Sequence, residues 1–161
     1  MPDTIVRPGA VYTIMRRVLD AIRTELECRG APACRYDMIT SQSATQRGAD
    51  LRGPGGSQGR VWVRLVQETA PNLGAACPTW MWADLEVGVL RCHTTVAADE
   101  RSLPDSGVYE DETLRSEQDA RSVTAALARV RPRVVVTGRR PYGPQGGAVG
   151  VLVQARARRR A

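Results

Sequence analysis

The C-terminal segment of the chain, RPRVVVTGRRPYGPQGGAVGVLVQARARRRA, constrains the fold more than any other part. An apolar run from Val134 to Thr137 leads into a stretch rich in glycine and proline, and a second run follows with Val149, Val151 and Val153 at alternate positions. Alternation of this kind indicates a strand, and clustered glycine and proline indicate a turn. The segment therefore predicts a terminal β-hairpin.

The hairpin ends in a run of arginines. Gln154, Arg156 and Arg158 alternate with alanines, so these three side chains share one face of the final strand. A charge run at a chain terminus is usually solvated, and we accordingly expect residues 156–161 to form a basic tail.

Two further strands precede the hairpin. Residues 60–67, RVWVRLVQ, place Val61, Val63 and Leu65 on one face, and a second alternating run covers residues 81–90. The polar residues in the second run indicate that one face of the sheet meets water or another subunit.

Two helices complete the pattern. Apolar residues at spacings of three and four predict an amphipathic helix over residues 9–29, which Gly30 and Pro32 end. The same spacing predicts a second helix over residues 112–130, with acidic residues near its start and arginines near its end.

Long connectors separate these elements. Residues 31–59 contain the glycine-rich stretch LRGPGGSQG and could include a short strand from Tyr36 to Thr40, while residues 94–112 are polar. Loops of this length are uncommon and often functional or mobile, so we interpret both as arms able to touch a neighbour. The predicted fold class is α+β, a single small domain over residues 1–161. Its sheet is mixed or antiparallel, has about four strands and is flanked by two helices.

Composition and charge narrow the function only partly. All 23 basic residues are arginine and phenylalanine is absent. A GC-rich genome accounts for this, and so does the suitability of arginine for bidentate pairs with carboxylates and phosphates. The net charge of +6 would allow an approach to nucleic acid, but much of the excess lies near the C-terminus. Because the rest of the chain is nearly balanced, a dedicated DNA-binding domain is not predicted.

Nothing in the N-terminal segment or in the apolar runs suggests secretion or a membrane span. The first residues lack the basic and apolar regions of a signal peptide, and no apolar stretch approaches the roughly 20 residues that cross a bilayer. We therefore expect the chain to fold in a cytoplasm.

The cysteines and the single histidine do not predict a metal site or a catalytic site. Cys28, Cys34, Cys77 and Cys92 lack the CxxC spacing of structural zinc sites, so they are expected to be thiols, with a later Cys28–Cys34 or Cys77–Cys92 disulfide left open. His93 has no GxSxG nucleophile turn to accompany it, and we interpret it as a strand-end residue at the sheet edge.

The glycine clusters do not predict a nucleotide site. A Walker loop requires lysine, which the chain lacks, and a dinucleotide fingerprint opens a helix, whereas residues 143–150 precede a strand. The chain is therefore predicted not to be an enzyme, with no catalytic residues, metal or cofactor.

Five segments, taken in order, resemble the tail terminator proteins of long-tailed (siphovirus-type) phages, in particular those of phages that infect GC-rich actinobacteria. The resemblance spans residues 9–157, and its more distinctive parts are WADLEVGVLRC and GPQGGAVG. One departure is Ala148, where the resemblance implies a cysteine. The five segments are VYTIMRRVLDAI, GRVWVRLV, WADLEVGVLRC, EQDARSVTAALARV and GPQGGAVGVLVQARA.

The resemblance implies a small α+β subunit that forms a ring, expected to be a hexamer, at the head–tail interface of the virion. Such a ring is assembled in the host cytoplasm, caps the finished tail tube, stops its polymerisation and joins it to the head. Its partners would be other copies of the chain, the tail tube protein, head–tail connector or stopper proteins and, transiently, the phage DNA, with no membrane. Arg139, Arg140, Arg156 and Arg158 are the candidate contacts to the lumen, to DNA or to neighbouring subunits.

Two alternative functions stay open on the sequence. Another head–tail connector protein, an adaptor or a stopper, would share the size and the ring. A small basic nucleic-acid-binding protein would instead show an affinity for DNA that falls steeply with salt.

Overall fold

A computed structural model describes residues 9–39, 59–71, 79–93, 104–145 and 148–160. These residues form two helices and one five-stranded sheet, which confirms the predicted α+β class with one strand more than expected. The elements are α1 (Ala10–Cys28), β1 (Arg35–Ile39), β2 (Arg60–Thr69), β3 (Trp80–Cys92), α2 (Ser106–Arg129), β4 (Val134–Gln145) and β5 (Ala148–Arg160).

The strand order in the sheet is β1-β2-β3-β5-β4. The predicted hairpin forms between β4 and β5, and β5 also pairs antiparallel with β3, which pairs antiparallel with β2. The additional strand β1 comes from the short segment after α1 and pairs parallel with β2. The sheet is therefore mixed, with its longest strands in the centre and at the β4 edge.

Both helices pack on the same face of the sheet. Alternate residues of the strands face the apolar stripes of α1 and α2, as the sequence periods predict. Among the most deeply buried side chains of this core are Val18, Ile22 and Leu26 of α1, Val123 and Leu127 of α2, and Val61, Val63, Val87, Val89 and Val153 of the strands. Neither described helix is long and apolar enough to cross a membrane.

Helix α2 begins at Ser106, earlier than the predicted start at residue 112. Its first turns carry exposed side chains, including Tyr109 and Leu114, so the apolar period that marks a helix becomes visible only later in the sequence. The predicted loop 94–112 is correspondingly shorter, because residues 106–112 are helical, and residues 94–103 lie outside the described residues.

The predicted basic tail is wrong over residues 156–160, which belong to β5. Arg156 pairs with Asp84 of β3 and Arg160 with Trp80. The strand continues this far because Ala155 and Ala157 are buried against the helices, while Arg156 between them faces the other way. The final strand predicted from the alternation of these residues therefore extends through the charge run to Arg160.

Candidate interaction surface on the open face of the sheet

The face of the sheet opposite the helices, called the open face below, carries charged and aromatic side chains. The cross-strand register places Asp84 directly opposite Arg156, and Trp82 directly opposite Arg158. These residues alternate with the apolar positions that face the helices, so the strand period puts them on the open face. The polar residues that alternate with apolar ones in β3 therefore lie on the same surface as the arginines of β5.

Asp84 and Arg156 form a bidentate ion pair across β3 and β5. Arg156 Nε donates to Asp84 Oδ1 at 2.6 Å, and Arg156 Nη2 donates to Oδ2 at 3.1 Å. Gln67 Nε2 of β2 donates to the same Oδ2 at 3.0 Å. The hydrogen bonds from Arg156 lower the pKa of Asp84, and the carboxylate in turn raises the pKa of Arg156. The pair fixes both side chains on the surface.

Glu86 is the buried centre of a second ion pair network. Its side chain sits on β3 and the residue is only 3% exposed. Arg64 of β2 lies 2.7 Å from Oε1, and Arg140 Nη2 of β4 donates to Oε2 at 3.0 Å. Arg140 must reach across β5 to make this contact, because β5 lies between β4 and β3. The network therefore ties the β4 edge to the middle of the sheet.

At the β1 edge of the open face, one carboxylate forms ion pairs with two arginines. Asp37 Oδ2 lies 2.7 Å from Arg60 Nε and 2.8 Å from Arg35 Nε. Arg60 is buried, so its charge is neutralised at close range by this carboxylate. At the β1 edge, as in the middle of the open face, arginines therefore form ion pairs with carboxylates of the same chain.

Trp62 forms a small apolar cluster in the middle of the open face. It is 1% exposed and packs with Ile39, Leu152 and Tyr142. The ring lies over Gly88, where a Cβ atom would come within 2.2 Å of Trp62 Cε2. Within the described part of the chain, Trp62 Nε1 has no hydrogen-bond partner. Gly88 therefore provides the space that allows a tryptophan to lie flat against the sheet.

Trp80 and Trp82 form a second aromatic group at the end of the open face where β3 begins. Their ring centroids are 5.0 Å apart and the planes are nearly perpendicular. The Arg158 guanidinium lies 4.4 Å from the Trp80 centroid, and that of Arg156 lies 5.7 Å from the Trp82 centroid. Both are cation–π contacts. In contrast to Trp62, these two rings are partly accessible to a partner.

The structure brings together three of the four arginines that the sequence analysis proposed as contacts. Arg140, Arg156 and Arg158 lie on the open face, whereas Arg139 pairs with Val153 and so belongs to the opposite face. Arg140 and Arg156 are bound to carboxylates of their own chain. Arg158 stacks on Trp80 and has no carboxylate partner among the described residues, so of the three arginines on the open face it is the one most available to another molecule.

His93 follows the end of β3 and contacts α2. Its Nδ1 atom lies 2.7 Å from Glu112 Oε2, and its ring centroid lies 6.1 Å from that of Tyr109. The predicted position at a strand end is confirmed, but the predicted position at the sheet edge is wrong, because β3 lies between β2 and β5. His93 therefore joins the central strand to the N-terminal half of α2.

The described cysteines are Cys28, Cys34 and Cys92. Cys28 is exposed at the end of α1, and Cys34 Sγ donates to the carbonyl oxygen of Gly59 at 2.9 Å. Ala148, where the resemblance implies a cysteine, lies directly opposite Cys92 in the register of β3 and β5. Cys77 lies outside the described residues. The described ranges contain no group of three or more metal-ligating side chains.

A buried ion pair that was not predicted from the sequence lies on the helix side of the sheet. Arg91 Nε and Nη2 donate to the two carboxylate oxygens of Asp119 at 2.9 and 2.8 Å. Arg91 also donates to the carbonyl oxygens of Ala31 and Pro32. Burial opposes the charge of Arg91, but the Asp119 carboxylate outweighs it and raises the pKa of Arg91. In the sequence, this ion pair is indicated by an arginine, Arg91, at a helix-facing position of an otherwise apolar strand.

No family model and no curated protein matches the chain.

Proposed function

We propose that the chain is a structural subunit of a phage virion, a tail terminator that forms a ring on the end of the tail tube of a long-tailed phage. In this role it ends tail polymerisation and provides the surface that joins the tail to the head. Its partners are other copies of the chain, the tail tube protein and a connector or stopper protein, and phage DNA crosses the lumen of the ring. The chain works as a structural part of the head–tail interface, without catalysis.

Beyond the resemblance of its five segments, one structural observation supports this proposal. Neither of the two described helices packs on the open face, which combines Arg158 with two partly accessible tryptophans, Trp80 and Trp82. Tryptophan and arginine are enriched at the centres of protein interfaces, where they contribute a large share of the binding energy. The ion pairs of Asp84 and Glu86 keep the rest of this surface ordered before any partner arrives, which lowers the entropy cost of association.

Electron microscopy of negatively stained particles tests the proposal. The purified chain is imaged alone and mixed with tubes assembled from the tail tube protein of the phage that encodes it. We expect rings, or a cap at one end of each tube and tubes that no longer elongate. Rings that bind portal or capsid vertices but ignore tubes would assign the chain to the adaptors or stoppers. Particles that bind neither would contradict a connector function altogether.

A matched pair of variants makes this test specific to the open face. Arg158→Ala removes the guanidinium that stacks on Trp80, and Arg139→Ala removes an exposed guanidinium on the opposite face. We expect the first variant to cap fewer tubes at equal concentration and the second to behave as the wild type. Equal capping by both variants would remove Arg158 from the contact surface.

A further inference from the structure

An arginine-lined groove lies beside the Trp80 end of the sheet. It has a volume of about 970 Å³ and lies between the start of α1, the first residues of β3 and the last residues of β5. Ala10, Trp80 and Pro132 contribute to its apolar wall, and no acidic residue is found among its described lining residues. Its arginines are Arg17, Arg133, Arg158, Arg159 and Arg160. We call it the arginine groove.

Four of the five arginines of the arginine groove retain an unneutralised charge. Arg159 is paired with Glu68, whereas Arg17 Nη1 donates to a neutral group, the carbonyl oxygen of Arg131, at 2.8 Å. Arg133, Arg158 and Arg160 form no ion pair with any described carboxylate, and all three are exposed. Several cations around one concave surface raise the local positive potential above that of isolated side chains. The groove therefore favours an acidic occupant with some apolar surface.

A surface of that chemistry lies on the first turns of α2. Glu110 and Asp111 are exposed and form no ion pair among the described residues. Beside them Tyr109 is 39% exposed and Leu114 is 56% exposed, so the carboxylates are accompanied by apolar surface. Arg115 is also exposed on the following turn and is not paired with Asp111. We call Tyr109, Glu110, Asp111 and Leu114 the α2 acidic patch.

The arginine groove and the α2 acidic patch lie at opposite ends of α2. The groove includes Pro132 and Arg133, just beyond the C-terminus of the helix, whereas the patch begins at Tyr109. At a rise of about 1.5 Å per residue, the helix between Asp111 and Arg129 is roughly 27 Å long. The two surfaces of one chain therefore cannot meet each other, but the patch of one copy can meet the groove of the next.

We propose that the arginine groove binds the α2 acidic patch of a second copy of this chain. Two different surfaces then join in a head-to-tail contact, which closes into a ring when its rotation allows. The inference rests on the proposed function in that it names the contact between subunits of the ring. Carboxylates Glu110 and Asp111 are the partners of Arg133 and Arg160, and Tyr109 and Leu114 cover the apolar wall of the groove.

Charge reversal of each surface, followed by sedimentation velocity at low salt, tests the inference. One variant carries Arg133→Glu and Arg160→Glu, and the other carries Glu110→Arg and Asp111→Arg. We expect each variant alone to associate at least about tenfold more weakly than the wild type, because each places like charges in contact. An equimolar mixture of the two variants, and a chain that carries all four changes, should regain the association.

Matched controls separate this contact from general charge effects. Arg139→Glu and Glu27→Arg reverse exposed charges outside both surfaces and should leave association unchanged, and circular dichroism verifies that each variant is folded. A wild type that stays monomeric at low salt, or reversed variants that assemble as well as the wild type, would overturn the inference. A labelled DNA duplex is added as a competitor. Loss of DNA binding in the groove variant with unchanged self-association would assign the groove to nucleic acid instead.

The outcomes distinguish this inference from the proposed function. Rings that persist in both reversed variants and still cap tubes would reject the groove contact and keep the tail terminator. Association that depends on both surfaces, in rings that ignore tubes, would keep the groove contact and reject the tail terminator.

Discussion

At the scale of single residues, the buried Arg91–Asp119 pair connects three segments on the helix side of the sheet. It joins β3 to α2 and, through the carbonyl oxygens of Ala31 and Pro32, to the segment between α1 and β1. Removal of one partner leaves the other charge buried without compensation. We expect Asp119→Asn to lower the free energy of unfolding by about 3–5 kcal/mol.

Urea denaturation of Asp119→Asn and of Glu117→Gln measures this difference. Glu117 pairs with Arg121 one turn along the same helix, but both side chains are more than half exposed. The control should therefore lose less than about 1 kcal/mol, since exposed pairs contribute little. Equal losses in the two variants would show that the buried pair is no more important than a surface pair.

Gly88 provides a second prediction at this scale. A methyl group there would lie 2.2 Å from Trp62 Cε2, so Gly88→Ala must displace the ring or the strand. We expect a loss of about 1–3 kcal/mol in the free energy of unfolding, which is typical of overpacking in a well-filled site. Gly107→Ala is the control, because a Cβ atom there meets nothing within 4 Å in the first turn of α2. That variant should be as stable as the wild type or slightly more stable.

At the scale of elements, the Asp84–Arg156 pair couples β3–β5 pairing to pH. An aspartate ordinarily has a pKa of about 4, and we expect Asp84 to have that value in the unfolded chain. In the folded chain the pKa of Asp84 is lower. Its contribution to stability is therefore fully present above the unfolded pKa and is lost as the pH falls through the lower, folded pKa. We expect acid unfolding between about pH 4 and pH 2 to be steeper for the wild type than for Asp84→Asn. Parallel pH profiles of the free energy of unfolding would contradict this.

The end of β5 leads to a further prediction about an element. Because Arg156 to Arg160 pair with β3, deletion of residues 156–161 should destabilise the whole sheet, whereas loss of a solvated tail would not. The control keeps the backbone and changes only charge, with Arg158→Gln and Arg160→Gln. Thermal unfolding should show a clearly lower midpoint for the deletion than for the control. Equal midpoints would mean that this end of β5 contributes no stability.

The elements themselves show what a single sequence reveals. Helix α1 and the strands β2 and β3 follow from the spacing of their apolar residues, and the hairpin follows from its turn residues. The period in residues 35–39 is too short to show that β1 would pair parallel with β2. The start of α2 was predicted too late because its first turns are exposed. The end of β5 was predicted to be a solvated tail because its charge run lies at the chain terminus.

The candidate site was predictable to the extent that it depends on alternation. Arg156 and Arg158 were placed on one face correctly, since they are two residues apart in one strand. The partner of Arg140 was not predictable, because the contact with Glu86 depends on the order of strands. The arginine groove combines α1, β3 and β5 with the segment before β4, and contacts between distant segments leave no periodic signal in the sequence.

At the scale of the whole molecule, the sheet carries an apolar cluster on each face. The large core faces the helices, and the small cluster of Ile39, Trp62 and Leu152 lies on the open face. The strands β2 and β5 contribute alternate residues to both. Loss of either cluster therefore removes the support of the other, and the chain should unfold as one cooperative unit, as small single domains usually do.

Two spectroscopic probes test this cooperativity from opposite faces. In a variant with Trp80→Phe and Trp82→Phe, Trp62 is the sole tryptophan and reports on the open face by fluorescence, while far-ultraviolet circular dichroism reports mainly on the helices. We expect coincident urea transitions. Leu152→Ala on the open face and Leu127→Ala on the helix face should each shift both transitions together, by about 2–5 kcal/mol in the free energy of unfolding. A shift of the fluorescence transition alone after Leu152→Ala would mean that the open face unfolds separately from the helices.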